Sequence, residues 1–301
     1  MDLIDRALSN GIRVAAWTFD ELYGRDSKFL DGLDDRKQAY VAEIPSDTHV
    51  WTTRPHVIRK SPAKTRTGRP QKTPRVARQR PACEVRNLVK YSSKFQEQSW
   101  QRYRIKDTQN GPEVWEVKWL HVWRKTEDKL PSRQQTLIVA RNVRTGEMKF
   151  FLSNRVVGRG GVTLRWLLRV AFSRWVIEAC FRVAKEELGM DHFEVRGWRC
   201  IHRHYYVTAL SFLLCSRIRQ SLDKDHTGAL TIEQVRRSLN AYLAYHHLPP
   251  DLRDEAFEKE LAVQCYYQAR TAQAKKSHTK TRIKFYFEHG IDVDKIKSCL
   301  D

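Results

Sequence analysis

One acidic residue of this 301-residue chain stands among basic residues at a spacing that suits phosphoryl transfer. Wound as a helix at about 100° per residue, Arg174, Glu178, Arg182 and Lys185 fall within a sector about 80° wide. Apolar residues cover most of the remaining circumference, so we expect the charged sector to line a cleft. A carboxylate placed this way can hold a divalent metal while its flanking cations bind phosphate oxygens. A ladder of i,i+4 ion pairs, Arg174–Glu178 and Glu178–Arg182, fits the same spacing.

The spacing from Arg174 through Glu178 to Lys185 resembles the Y-x2-R-x3-E-x6-K signature of insertion-sequence DDE transposases. The downstream segments EVRGW (194–198) and HRH (202–204) are similar to one branch of that family. The resemblance implies that Glu178 is the last metal-binding carboxylate and that Arg174, Arg182 and Lys185 contact DNA. The tyrosine of the signature would stand at position 171, which is Ala171 here.

A second candidate carboxylate follows the apolar run Ile12–Phe19, which predicts a buried parallel strand. Asp20 comes directly after this run, and α/β sheets bind ligands at the carboxyl ends of their strands. Capping of the next helix by Asp20 explains its position equally well. The segments FDELYG (19–24) and YVAEIP (40–45) resemble the region around the second catalytic acidic residue of the same transposases. That resemblance implies that Asp20 is the second metal ligand.

The resemblance implies an α/β protein with an RNase H-like core, a β-rich insertion and a helical C-terminal region. It also implies a DNA transposase that uses Mg²⁺ or Mn²⁺ to cleave and join double-stranded DNA at transposon ends. The family's first aspartate lies on an earlier strand, whereas Asp2 and Asp5 lie on a predicted helix. We therefore expect an N-terminally truncated, catalytically incomplete enzyme. The alternative is a noncatalytic DNA-binding protein that interferes with intact transposase, and a homodimer is a further possible assembly.

Shifts in composition and periodicity predict five segments. These are the first part of the core (1–50), a basic, proline-rich linker or arm (51–88), a β-rich insertion (89–160), the catalytic-helix part of the core (161–220) and a helical basic tail (221–301).

The net charge of +20, with a pI near 9.9, indicates a polyanionic partner, and DNA, a ribosome or a membrane surface would each fit it. Residues 54–81 carry ten Lys and Arg, five Pro and no acidic residue. This composition predicts a mobile basic arm that contacts DNA phosphates, or else a solvated insertion. The basic run 270–282 fits a second phosphate-contacting surface or a soluble helix face.

The six cysteines form no CxxC pair, which is typical of a reduced, intracellular protein. The first residues lack the basic and apolar regions of a signal peptide. The apolar run 205–215 is too short to cross a bilayer. We therefore expect a protein without membrane association, cytoplasmic and nucleoid-associated as in bacteria.

Three further patterns have competing explanations. Trp115, Trp119 and Trp123 alternate as sheet-core residues do, although they could stack on flipped bases. His202 and His204 lie near Cys200, but we expect the HRH segment to pack beside the catalytic helix rather than to bind zinc. The loop from Asp223 resembles an EF-hand, yet Gln234 stands where a bidentate glutamate belongs. We expect an ordinary turn there, with Thr231 starting the next helix.

Overall fold

The computed structural model describes residues 1–59, 73–77, 81–158, 161–223 and 230–299. These residues form two compact units. The first unit comprises Met1–Arg174 and Thr279–Asp301, and the second comprises Trp175–His278. The first unit is mixed α/β, and the second is helical.

The first unit contains a large sheet, several helices and a separate pair of short strands. In chain order its elements up to position 174 are α1 (Asp2–Ser9), β1 (Trp17–Phe19), α2 (Glu21–Gly24), α3 (Ser27–Asp35), β2 (Tyr40–Glu43), β3 (His49–Trp51), β4 (Val57–Ile58), β5 (Arg75–Val76), β6 (Cys83–Glu84), α4 (Val85–Tyr91), α5 (Ser93–Gln96), β7 (Gln101–Thr108), β8 (Gly111–Lys125), β9 (Pro131–Asn142), β10 (Met148–Ser153) and α6 (Leu164–Ser173).

The remaining helices follow, and the last one continues from the second unit into the first. They are α7 (Trp175–Leu188), α8 (Trp198–Asp223), α9 (Ile232–His247) and α10 (Pro250–Glu288), after which come a 3₁₀ turn (Val293–Lys295) and β11 (Lys297–Ser298).

Nine strands pair in one sheet whose main path runs β1-β2-β10-β9-β8-β3-β6, with β7 on β8 and β11 on β7. Strands β1 and β2 are parallel, whereas β2, β10, β9 and β8 are successively antiparallel. The strands of segment 89–160 therefore share a sheet with those of segment 1–50. The five segment boundaries remain predictions.

The first strand is shorter and less buried than its sequence predicts. The apolar run begins at Ile12, but β1 spans only Trp17–Phe19, and Ile12 and Val14 are exposed. Among the described strands, β1 pairs only with β2, so it is an edge strand rather than a central one. The prediction of a buried strand from position 12 is therefore wrong, because a continuous apolar run cannot show whether a second neighbour is present.

The long hairpins β8–β9 and β9–β10 give the sheet two apolar faces. Strand residues alternate between the faces. Leu137 and Val139 pack with α3 residues on one face, while Ile138 and Ala140 pack with α6 on the other. A tight turn joins β9 to β10, in which the Gly146 amide donates to the Asn142 carbonyl and Gly146 has φ +73°.

Helix α6 covers the second face of the sheet. Its buried residues, Leu164, Leu167, Leu168 and Ala171, have the i, i+3, i+4, i+7 spacing of one helix side. Ala171 is only 5% exposed and belongs to this core. Position 171, where the signature has tyrosine, is therefore occupied in this chain by an alanine of the hydrophobic core.

Of the predicted basic arm (54–81), the structure describes residues 54–59, 73–77 and 81. Within it, β4 and β5 pair antiparallel, whereas the composition predicted irregular structure for these four residues. The rest of the predicted arm, residues 60–72 and 78–80, lies outside the described residues.

The end of α10 is attached to the β7–β8 hairpin within the first unit. Buried Tyr286 accepts a hydrogen bond from the Val114 amide (3.1 Å). Gly111 has φ +95°, and a Cβ at that position would come within 3.0 Å of Thr279 Cα. A residue larger than glycine would therefore meet both backbone strain and the helix.

The second unit has a small core where α7, α8 and α9 meet. Cys215, Ile232 and Val235 are buried there, with Val183 and Leu188 packed against them. Large apolar side chains of α7 and α8 stay exposed, among them Trp175 (42%), Trp198 (73%) and Leu210 (65%).

The EF-hand-like loop falls mainly on residues 224–229, which lie outside the described residues. The structure does describe Gln234, which stands at the last ligand position of the EF-hand-like loop. Gln234 accepts from the Thr231 amide (2.8 Å), while Thr231 Oγ1 accepts from the Gln234 amide (3.2 Å). This capping box confirms that Thr231 starts the next helix, and it occupies the side-chain oxygen of Gln234.

Among the described helices, none has both the length and the apolar character to span a bilayer.

The close approach of α2 to β2 leads to a prediction. A Cβ at Gly24 would overlap the carbonyl oxygen of Glu43, a backbone atom that cannot turn aside. We expect Gly24→Ala to lower the free energy of unfolding by about 2–3 kcal/mol, measured by denaturant titration. Gly32→Ala, in α3 with ordinary contacts from 3.4 Å, is the matched control and should stabilise by up to about 1 kcal/mol. Equal effects of the two substitutions would contradict the packing shown here.

Candidate active site

Asp20 lies at the carboxyl end of the parallel strand pair. Phe19 is in register with Ala42, so Asp20 and Glu43 are the next residues along β1 and β2. Asp20 is half-buried and stands at the N-cap of α2 with extended backbone (φ −79°). The sheet edge where α/β proteins bind ligands is therefore the edge that carries Asp20.

The carboxylate of Asp20 caps α2 through one oxygen only. Oδ1 accepts from the amides of Leu22 (3.1 Å) and Tyr23 (3.4 Å). Oδ2 makes no hydrogen bond within the part of the chain that the structure describes. Capping and metal binding, the two explanations of Asp20, are thus compatible, because a hard cation such as Mg²⁺ needs only one carboxylate oxygen from each ligand.

Glu43 ends β2, the strand that pairs with β1, and the sequence did not identify it as a candidate site residue. Its side chain is 18% exposed and pairs with Lys149 of β10, with Oε1 and Nζ 3.1 Å apart. β2 ends in Glu43, and Asp20 directly follows the last residue of β1, its parallel neighbour. Register joins residues distant in sequence, so composition and spacing could not reveal it.

A polar cavity of about 390 Å³ adjoins α2 and the end of β2, lined by Glu21, Arg25, Glu43, Asp47, Arg86 and Lys149 among others. Each of its cations pairs with a carboxylate: Arg25 with Glu21 (3.3 Å), Arg86 with Glu84 (2.7 Å) and Lys149 with Glu43. The hydrogen bond from Arg86 to Glu84 also raises the pKa of Arg86. Because these charges are balanced, the cavity has no excess positive charge to attract a phosphate.

The second group of predicted site residues lies on α7. Glu178, Arg182 and Lys185 are all exposed, and Arg182 and Lys185 form no ion pair with any described residue. The Glu178–Arg182 step of an ion-pair ladder is therefore not formed. Arg174 is half-buried and ends α6 with helical backbone. Arg182 and Lys185 thus keep their charges available for an external anion.

The turn after α7 is held by α8. Gly189 has φ +65°, and the Met190 amide donates to the Ala184 carbonyl, so the glycine ends the helix. His204 Nε2 lies 2.7 Å from the Gly189 carbonyl oxygen. The HRH segment therefore contacts the end of α7, as its sequence predicts.

Asp20 and Arg174 belong to the first unit, and Glu178, Arg182 and Lys185 belong to the second. Their assembly into one site remains a prediction. Across the described residues, no three or more His, Cys, Asp and Glu side chains are grouped so that they could hold a metal ion. Two further acidic residues, Asp26 and Glu194, could serve as ligands by residue type. Asp26 caps α3 through the Phe29 amide (3.0 Å), and Glu194 is exposed.

Comparison with known proteins gives one family match. Residues 1–112, which include Asp20, match the family described as DDE superfamily endonuclease. Glu178 lies beyond the matched segment. No curated protein matches the chain.

The capping geometry of Asp20 predicts how substitutions affect stability. Asp20→Ala removes the acceptor for two amides and should lower the free energy of unfolding by about 1 kcal/mol. Asp20→Asn keeps an acceptor oxygen and should stay close to wild type. Asp26→Ala, which removes the equivalent cap of α3, is the matched control and should resemble Asp20→Ala. If Asp20→Asn proves as destabilising as Asp20→Ala in denaturant titrations, the charge rather than the cap holds this turn.

Proposed function

We propose that this chain, which carries a DDE superfamily endonuclease segment, acts on double-stranded DNA as a transposase of the DDE class. The observation that carries the proposal is the position of Asp20, at the carboxyl end of a parallel strand inside the matched segment. In an RNase H-like core this edge holds the metal-binding carboxylates. Asp20 and Glu178 are the two carboxylates that we assign to metal binding.

The residues suit a hard divalent cation. DDE superfamily nucleases generally use divalent metals, and Mg²⁺ or Mn²⁺ prefers carboxylate oxygens such as Asp20 Oδ2. When bound, such ions activate the attacking oxygen and stabilise the leaving oxygen of the phosphodiester. Arg182 and Lys185 of α7, together with Arg174, would bind DNA phosphates beside the metal. A two-ion site needs more ligands than these two carboxylates, so we propose that the 301-residue chain is catalytically incomplete.

A noncatalytic DNA-binding protein is the second candidate. Its support is the net charge of +20 together with Arg182 and Lys185, exposed cations of α7 that form no ion pair with any described residue. Such a protein would interfere with intact transposase by occupying the same DNA ends or by pairing with it. With DNA as its substrate or target, the chain would act inside the cell, at the nucleoid. The basic arm would add phosphate contacts in both cases.

The effect of Mn²⁺ on DNA affinity separates the two candidates. An ion held by Asp20 and Glu178 would bridge the protein to a phosphate, so Mn²⁺ should lower the Kd for a duplex oligonucleotide several-fold, measured by fluorescence anisotropy. Asp20→Asn and Glu178→Gln should abolish this effect. Glu186→Gln, an exposed acid on the same helix, is the matched control and should retain it.

The same mixtures, run on denaturing gels, should show uncut DNA. Nicking by wild type that disappears in Glu178→Gln would contradict catalytic incompleteness while supporting the DDE assignment. Glu43→Gln would then be the first variant to examine, because register places Glu43 beside Asp20. A Kd that ignores Mn²⁺ in wild type would favour the noncatalytic candidate.

A further inference from the structure

Helix α8 of the second unit has an exposed face on which arginines precede apolar side chains. At about 100° per residue, the residues from 199 to 213 that fall within a sector about 80° wide are Arg199, Arg203, Tyr206, Leu210 and Leu213. All five are exposed, and Tyr206 and Leu210 are 66% and 65% exposed. Hereafter these five residues are called the α8 face.

The α8 face takes no part in the packing of the second unit. Thr208 and Cys215 lie on the opposite side of α8 and are buried, and Cys215 belongs to the core shared with α9. Arg199 and Arg203 form no ion pair with any described residue. Exposed apolar side chains beside unpaired charges are typical of a surface that binds another protein.

The first part of α10 has an exposed face of opposite charge. The residues from 251 to 265 that fall within a sector about 80° wide are Asp251, Asp254, Glu258, Leu261 and Cys265. All five are exposed, and hereafter they are called the α10 face. The opposite side of α10 contacts α9, where Glu260 pairs with Arg237 (2.9 Å) and Gln264 accepts from Ser238 (3.3 Å).

The carboxylates of the α10 face have no partner cation. Asp251, Asp254 and Glu258 form no ion pair with any described residue, in a chain whose net charge is +20. Asp254 and Glu258 are spaced i,i+4, so their like charges are adjacent and oppose the helix. The helix dipole favours acidic residues in the first turn, which accounts for Asp251 but not for Glu258. A cationic partner would offset the repulsion.

The two faces match in spacing as well as in charge. Both follow the alternating three- and four-residue steps of helices that pack along a common seam. If Arg199 lies beside Asp254 on parallel helices, the later steps coincide and give the pairs Arg203 with Glu258, Tyr206 with Leu261, and Leu210 with Cys265. Two ion pairs are then followed by two apolar contacts, and Leu213 extends the seam beside Gln268.

We propose that the α8 face binds the α10 face of a second copy of this chain as a parallel helix pair. Each face carries the charge that the other lacks, and each covers apolar side chains that the other leaves in water. A second copy carries both faces, so a two-fold symmetric dimer contains this contact twice. Both faces belong to the second unit, and DNA takes no part in the contact. The inference goes beyond the proposed function and does not depend on it.

Charge reversal on either face tests the contact. The α8 variant, Arg199→Glu with Arg203→Glu, places carboxylates against the α10 face. The α10 variant, Asp254→Lys with Glu258→Lys, places cations against the α8 face. Each variant should raise the Kd of the dimer at least about tenfold, because like charges then meet. Sedimentation velocity over a concentration series, without DNA, measures this Kd.

Mixing the two variants separates this contact from general effects of charge or folding. In the mixed dimer the new glutamates face the new lysines, and the unchanged faces form the wild-type contact. An equimolar mixture should therefore form a heterodimer with a Kd close to that of wild type, which an unfolded variant could not do. Lys90→Glu with Lys275→Glu is the charge control, since both lysines are exposed and lie outside the two faces, and it should keep the wild-type Kd.

Any of several results would overturn the inference. They are a wild type that is monomeric at every concentration, a dimer whose Kd neither variant changes, a charge control that weakens the dimer as much as the two variants do, and a mixture that forms no heterodimer. A monomeric wild type would leave the α8 face to an acidic helix of a different protein. Each of these results leaves DNA binding, and with it the proposed function, intact.

Discussion

The parallel pairing of β1 with β2 fixes the position of Asp20, and the rest of the candidate site depends on it. Three residue pairs, from Trp17–Tyr40 to Phe19–Ala42, carry this pairing. The chain leaves β1 at Asp20, and α2 turns back so closely that Gly24 contacts the end of β2. One carboxylate oxygen holds this turn together, while the other has no hydrogen-bond partner among the described residues. Asp20 therefore combines an observed capping role with the ligand role that we propose for it.

Positive charge is distributed unevenly over the molecule. Beside Asp20, the cations Arg25, Arg86 and Lys149 are paired with carboxylates, so that end of the sheet is nearly neutral. Arg182 and Lys185 on α7, and Lys275, Lys276 and Lys280 on α10, form no ion pair with any described residue. A neutral end of the sheet suits a carboxylate that must attract a metal, and unpaired cations elsewhere suit phosphates. The positive charge is thus neutralised by carboxylates at the end of β2 and is not neutralised on α7 within the described residues.

Local signals in the sequence predicted their structures well. Thr231 starts α9 as expected, because a capping box depends only on the preferences of a few adjacent residues. Features that depend on contacts between distant parts of the chain could not be predicted in this way. The sequence could not show that β1 lies at a sheet edge or that Glu43 stands beside Asp20, since both depend on which strands pair. The exposure of Glu178 likewise depends on what packs around α7.

We propose, as the central claim, that Asp20 and Glu178 hold one and the same metal ion in this chain. Mn²⁺ titration followed by electron paramagnetic resonance, applied to wild type, Asp20→Asn, Glu178→Gln and the double variant, tests this most directly. If the two carboxylates share one ion, each single variant weakens the same site and the double variant weakens it little further, so the effects are strongly non-additive. Independent, additive effects on Mn²⁺ affinity, or a bound Mn²⁺ that neither substitution disturbs, would contradict the shared site.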